Sequence, residues 1–109
     1  MASTKKSLLP PPQGQLLKQN VNIAKGATYE TNTLTAPGNG TLAAHVKSHA
    51  GTDFSVSFLR LSDSKTIGTI QGPDVNINTI CTAGQTWKVS VYNPSGVAID
   101  ASITVTYTP

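Results

Sequence analysis

The stretch from Val97 to Tyr107 leaves this chain little choice of secondary structure. Val97, Ile99, Ala101, Ile103, Val105 and Tyr107 are apolar and all fall on odd positions, with Asp100, Ser102, Thr104 and Thr106 between them. A period of two lines up one side of an extended strand, whereas a helix would spread the same residues around its circumference. Upstream, Trp87, Val89 and Val91 form a second row of the same kind. Between the rows, Asn93, Pro94, Ser95 and Gly96 are the residues a type I turn prefers. The spacing predicts a β-hairpin over residues 86–107, with Trp87, Val89, Val91, Ile99, Ile103 and Val105 in one buried core.

The rest of the chain carries the same texture. "QLLKQNVNI" (Gln15–Ile23) reads as a first strand with Val21 and Ile23 on one face, and "AKG" turns it into "ATYETNTLTA". "APGNG" (Ala36–Gly40) is a loop by its Pro, Gly and Asn content. It lacks the lysine and helix that would make it a phosphate cradle. Leu42, Ala44 and Val46 alternate with polar or small residues, and Phe54, Val56 and Phe58 form another row. Leu59 and Leu61 then shift the phase, which predicts a bulge or a crossing between sheets. "SDSK", "GPD" and "TAGQ" punctuate the remainder.

About eight short strands and no amphipathic helix predict an all-β antiparallel sandwich, jelly-roll or immunoglobulin-like, over residues 15–109. Composition agrees: 109 residues suffice for one core, and only 12% are charged. Thr and Val favour strands, while Gly, Asn and Pro favour the turns between them. Cys81 is the single cysteine, so no internal disulfide staples the fold.

Residues 1–14 follow other physics. "KKSLLPPPQGQLL" (Lys5–Leu17) contains three consecutive prolines, which fix φ, remove backbone donors and favour polyproline II. The expectation is an extended arm outside the sheet. Leu8 and Leu9 run into Pro10 without an apolar stretch of useful length, so a signal peptide is not expected. No segment has the length of a membrane-spanning helix.

Chemistry-bearing residues are sparse. His45 and His49 are expected to face solvent, too far apart along a strand to hold one metal ion. Glu30, Asp53, Asp63, Asp74 and Asp100 fall at turns or on outer faces, without calcium-loop spacing. Cys81 has no basic neighbour and reads as a buried, inert thiol. Trp87, in phase with Val89 and Val91, reads as core rather than as a sugar platform. A net charge of +3 is too small and dispersed for nucleic acid as principal ligand. The expectations are therefore no enzymatic activity, no cofactor, no metal, no nucleic acid and no membrane.

Two resemblances bear on function. "AGQTWKVSVYNPSGVAIDASITVTY" (Ala83–Tyr107) resembles the closing hairpin of pre-peptidase C-terminal and similar jelly-roll modules, over about a quarter of the chain; the acids that bind calcium in some of these have no counterpart here. The plan of a short Pro-rich arm before one small polar sandwich is similar to bacteriophage capsid decoration (cement) proteins, by architecture alone. That resemblance implies a virion structural protein, made in a host cytoplasm, that binds a protein lattice such as a major capsid protein. Self-association is a further kind of contact it leaves open. Leu8, Leu9, Pro10, Pro11, Pro12, Leu16 and Leu17 are the expected partner-binding residues, since a proline-stiffened arm loses little entropy on docking. The alternative expectation is a carbohydrate- or host-surface-binding sandwich.

Overall fold

The computed structural model describes residues Gln13–Pro109, and within them the chain is built from strands alone. In order these are β1 (Gly14–Ile23), β2 (Thr28–Glu30), β3 (Leu34–Thr35), β4 (Gly40–Ser48), β5 (Phe54–Arg60), β6 (Lys65–Gly72), β7 (Asp74–Cys81), β8 (Thr86–Tyr92) and β9 (Ile99–Thr108). They form two antiparallel sheets. The first has the order β1-β9-β4-β7; the second has the order β2-β8-β5-β6, with β3 also on β8.

β2 and β3 are two halves of one interrupted strand. The interruption is made by Thr31, which is buried. Its backbone N–H donates to the Val89 carbonyl at 3.0 Å, and its hydroxyl takes the Val89 N–H at 3.0 Å in place of a carbonyl. The ladder is thereby satisfied while the backbone steps out of register, as at a bulge. With these halves counted as one, eight strands form a jelly roll. Only β5 and β6 are joined as a hairpin. Every other full strand passes to the opposite sheet before the next begins.

The inward rows of both sheets make a single core. Leu42, Ala44 and Val46 from β4, Val75 and Ile77 from β7, and Ile99 to Tyr107 from β9 face Phe54, Val56 and Phe58 from β5 and Trp87, Val89 and Val91 from β8. Trp87, Tyr107, Phe54 and Phe58 are the largest fully buried side chains. The all-β sandwich and its core residues are as the alternation predicts. One glycine is dictated by packing: a Cβ on Gly40 would lie 2.2 Å from the Thr108 carbonyl oxygen, so only glycine lets β4 start there.

Three local expectations are corrected. Residues 86–107 are not a hairpin: β8 lies in the second sheet and β9 in the first, and they share no ladder. Val97 stands outside β9 and is 61% exposed. The phase does not shift at Leu59, because Arg60 keeps the core-facing parity of Phe58 while Leu59 and Leu61 are half-buried on the outer side. The bulge is in the partner strand. Val56 pairs with Ile70 but Phe58 with Ile67, and the extra residue lies beside Gly68, whose φ of 69° suits glycine.

Asn93 explains why "NPSG" crosses instead of turning back. Its side chain is fully buried. Nδ2 donates to the carbonyls of Ile23 at 3.0 Å and Val97 at 2.8 Å, and Oδ1 accepts from the Ser95 N–H at 3.0 Å. Its backbone N–H donates to Ala27, and its carbonyl accepts from the Gly26 N–H. One residue thus ties the β1–β2 connection to the β8–β9 connection. At the opposite end of the sandwich, the Ala36 N–H donates to the Gln85 carbonyl, and the Gly84 N–H donates to the Ala36 carbonyl. There the Tyr107 hydroxyl donates to the Asn39 carbonyl at 2.9 Å, and the Cys81 thiol points at the Gly38 carbonyl. Burial pushes the Cys81 thiol above its ordinary pKa.

Replacing Asn93 by Ala is expected to cost about 1–3 kcal/mol for each carbonyl left without a donor, read as a lower urea midpoint at unchanged slope. A cost within about 0.5 kcal/mol, as for a plain surface change, would show that the two connections do not depend on this amide. Because the thiolate is the reactive form and burial disfavours it, Cys81 is expected to react with an aromatic disulfide slowly in buffer and at once in denaturant. Equal rates would place it at the surface.

Candidate functional site

Leu8, Leu9, Pro10, Pro11 and Pro12 lie outside the described residues; the base of the arm lies within them. Gly14, assigned to the arm from the sequence, is already the first residue of β1 and pairs with Tyr107. β1 borders the first sheet and bonds β9 on one side. Gln15 pairs with Thr106 and Leu17 with Val105, so Leu16 is the extra residue of a bulge. Strict alternation would send one of two consecutive leucines outward. The bulge turns both toward the sandwich, where both are half-buried against the core. Leu16 and Leu17 therefore belong to the fold at the root of the arm.

The next inward residues secure that root. Val21 and Ile23 pack on the core, and the Gln19 side-chain amide donates to the Tyr29 hydroxyl of β2, in the other sheet. Hence the open side of the sandwich beside β1 is latched by a polar bond between sheets. Whatever precedes Gln13 departs from a position held by a ladder, two leucines and this latch.

The outer face of the first sheet gathers the histidines, and both are exposed as expected. His45 Nε2 lies 2.5 Å from Asp74 Oδ1, joining β4 to β7. His49 Nε2 lies 2.7 Å from Ser102 Oγ, and Ser102 in turn donates to Asn20 Oδ1 at 2.7 Å. Nearby, Asn22 Nδ2 donates to Asp100 Oδ1 at 2.8 Å. The single hydroxyl hydrogen of Ser102 goes to Asn20, so His49 Nε2–H is the donor to Ser102. That is the reverse of a base drawing a proton from a nucleophile. These contacts bind neighbouring strands across β1, β9, β4 and β7 on an open face. No concave pocket and no cluster of three metal-ligating side chains occurs among the described residues.

A third cluster closes the end of β5. Arg60 grips Asp63 through two parallel bonds of 2.9 and 2.7 Å, and its guanidinium stands 5.9 Å from the Trp87 ring centroid. The Arg60 hydrogen bond holds the Asp63 carboxyl below its ordinary pKa. Trp87 meets Phe58 edge to face at 5.8 Å. Fully buried in this way, the indole has no face for a sugar. The most exposed aromatic among the described residues is Tyr92, 41% exposed on the outer face of the second sheet. It sits between Thr28 and Ser55.

The latch and the His49–Ser102–Asn20 chain were not readable beforehand, because each joins residues brought together by strand order alone. The doubled leucine was a usable signal. Two consecutive apolar residues at the head of an alternating strand mark a bulge.

No known protein family and no curated protein matches the sequence. Solved structures do match the fold. The pre-peptidase C-terminal domain of a collagenase from Bacillus anthracis superposes with a TM-score of 0.68 at 14% identity, over 82% of this chain and 87% of that one. The C-terminal domain of A223, a structural protein of Sulfolobus turreted icosahedral virus, gives a TM-score of 0.51 at 16% identity, over 89% and 99%. A carbohydrate-binding module of Cellvibrio mixtus lichenase 5A, solved with cellotriose, gives 0.52 at 16% identity, over 88% and 91%. These three proteins differ in role, and what the likeness shows for this chain is its β-sandwich fold.

Proposed function

We propose that this chain is a non-enzymatic structural protein that attaches to an assembled protein lattice through its N-terminal arm, as a capsid decoration protein of a virion. The observation that carries this reading is the construction of the arm's root. A border strand with two leucines folded into its bulge and a latch between the sheets is a firm base for a proline-stiffened probe. Pro10, Pro11 and Pro12 act as the spacer, Leu8 and Leu9 as the apolar contact, and Leu16 and Leu17 as the anchor. Polyproline stiffness keeps the ordering cost of docking small. Support also comes from the viral structural protein built on the same architecture. On this reading the protein is made in the host cytoplasm and ends in the particle, with a major capsid protein as partner.

A second reading, attachment to carbohydrate or a host surface, draws on Tyr92. An exposed aromatic flanked by Thr28 and Ser55 offers a stacking face beside hydroxyl groups, and a sandwich of this kind serves a carbohydrate-binding module.

Co-sedimentation with capsids of the genome that encodes the chain separates the two. The full-length protein is expected to pellet with capsids. Deleting residues 1–12 is expected to leave the melting transition in place and abolish pelleting. Leu8→Asp with Leu9→Asp should weaken binding by more than about tenfold, since each buried leucine contributes about 1.5–3 kcal/mol. Undiminished binding by the truncated protein would overturn the arm's role. Failure of the full-length protein to bind capsids, with binding to a glycan that Tyr92→Ala abolishes, would establish the second reading.

A further inference from the structure

A sandwich has four borders, and each exposes a row of backbone groups able to pair with another strand. Three of the four are protected here. β1 carries Lys18 near its middle and a bulge at Leu16. β6 carries Lys65 and the bulge beside Gly68. The β2–β3 border is broken at Thr31 into pieces of three and two residues.

β7 has none of these devices. Its eight residues, "DVNINTIC", contain no proline, lysine or arginine. Its register on β4 runs without a shift from Gly40–Cys81 to Lys47–Asp74. Among the described residues, no backbone bond besides the β4 ladder reaches Asp74–Cys81. Its outward side chains are Asp74, Asn76, Asn78 and Ile80, and Ile80 is 82% exposed. Asp74, the single ionised group of the strand, stands at its first position against His45.

We infer that this border pairs with the same border of a second copy, β7 against β7, antiparallel about a two-fold axis. Charge selects that occupant. Antiparallel self-pairing sends the two Asp74 side chains to opposite ends, about 20 Å apart at the rise of a strand, which exceeds the screening length of about 8 Å at physiological salt. The middle of the strand then meets its own copy through asparagines, which donate and accept equally well. The same operation on β1 would bring Lys18 close to its own copy, and like charges opposed across a ladder are destabilising. The product is a closed dimer in which the two first sheets become one of eight strands, the isologous contact that two-fold symmetry favours. This inference is independent of the arm and of the lattice it is proposed to bind.

Sedimentation velocity of the full chain across a concentration series tests it, together with amide hydrogen exchange at the extremes of that series. The expected result is a monomer–dimer equilibrium, with amides of Asp74–Cys81 gaining protection as dimer forms. Asn76→Lys with Asn78→Lys changes two exposed side chains. This variant should melt like the wild type and dimerise more than about tenfold more weakly, because edge lysines oppose pairing. Asn20→Lys on β1 should leave dimerisation unchanged. A chain that stays monomeric at every concentration overturns the inference. So does undiminished dimerisation of the double-lysine variant, or protection that appears in β1 or β6 instead of β7. Open-ended polymers would overturn it too, since they require a head-to-tail contact.

Discussion

A chain that passes repeatedly between two sheets must carry its backbone polar groups over the rim of the core, where neither ladder can pair them. Everything else in this structure depends on how that rim is satisfied. At one end the buried amide of Asn93 supplies donors to Ile23 and Val97 and an acceptor to Ser95. At the other, the Tyr107 hydroxyl ties β9 to the Asn39 carbonyl in the loop before β4, and the Asn39 side-chain oxygen takes the Ala83 N–H of the connection before β8. Each unsatisfied group at such a site would cost as much as a lost hydrogen bond. With both rims closed, one core serves both sheets, and the borders become the places where the molecule has latitude.

How much of this was legible follows from what alternation encodes. Burial with a period of two identifies a strand and its inward face, so the rows at Leu42–Val46, Phe54–Phe58 and Ile99–Tyr107 stood out. It is silent on which sheet a strand joins. β8 and β9 present apolar rows to the same core from opposite sides, a pattern identical to that of a hairpin. The difference lies in Asn93, whose turn-forming residue type conceals a buried structural amide. Outer-face apolar residues misled in the same way: Leu59 and Leu61 suggested a bulge that belongs to β6, where Gly68 marks it.

At the candidate site the split is similar. The prolines of the arm declare themselves by covalent geometry, whereas the Asp74 carboxylate beside His45 and the Ser102 hydroxyl beside His49 come from other strands and were not visible from the histidines' neighbours in sequence. The anchoring of Leu16 and Leu17 depends on a bulge in a ladder with β9. The partners of His49 and Gln19 depend on strand order as well. Such contacts exist only after topology is chosen. A protein whose histidines both sit in contacts between strands therefore reveals little of its site before its fold is known.

The position of β9 carries a kinetic consequence. It is the inner strand between β1 and β4, and its ladder with β1 joins residues such as Asn22 and Asp100, 78 apart in sequence. Non-local pairing of this kind has to meet the entropy of closing a long loop before it gains any contact, so such topologies fold in milliseconds to seconds. On the ribosome, β1 and β4 have no central partner until β9 has emerged from the exit tunnel. Until then β1 has no partner in the first sheet and β4 is paired with β7 alone, so the nascent chain passes through an interval in which chaperone capture and misassembly compete with folding.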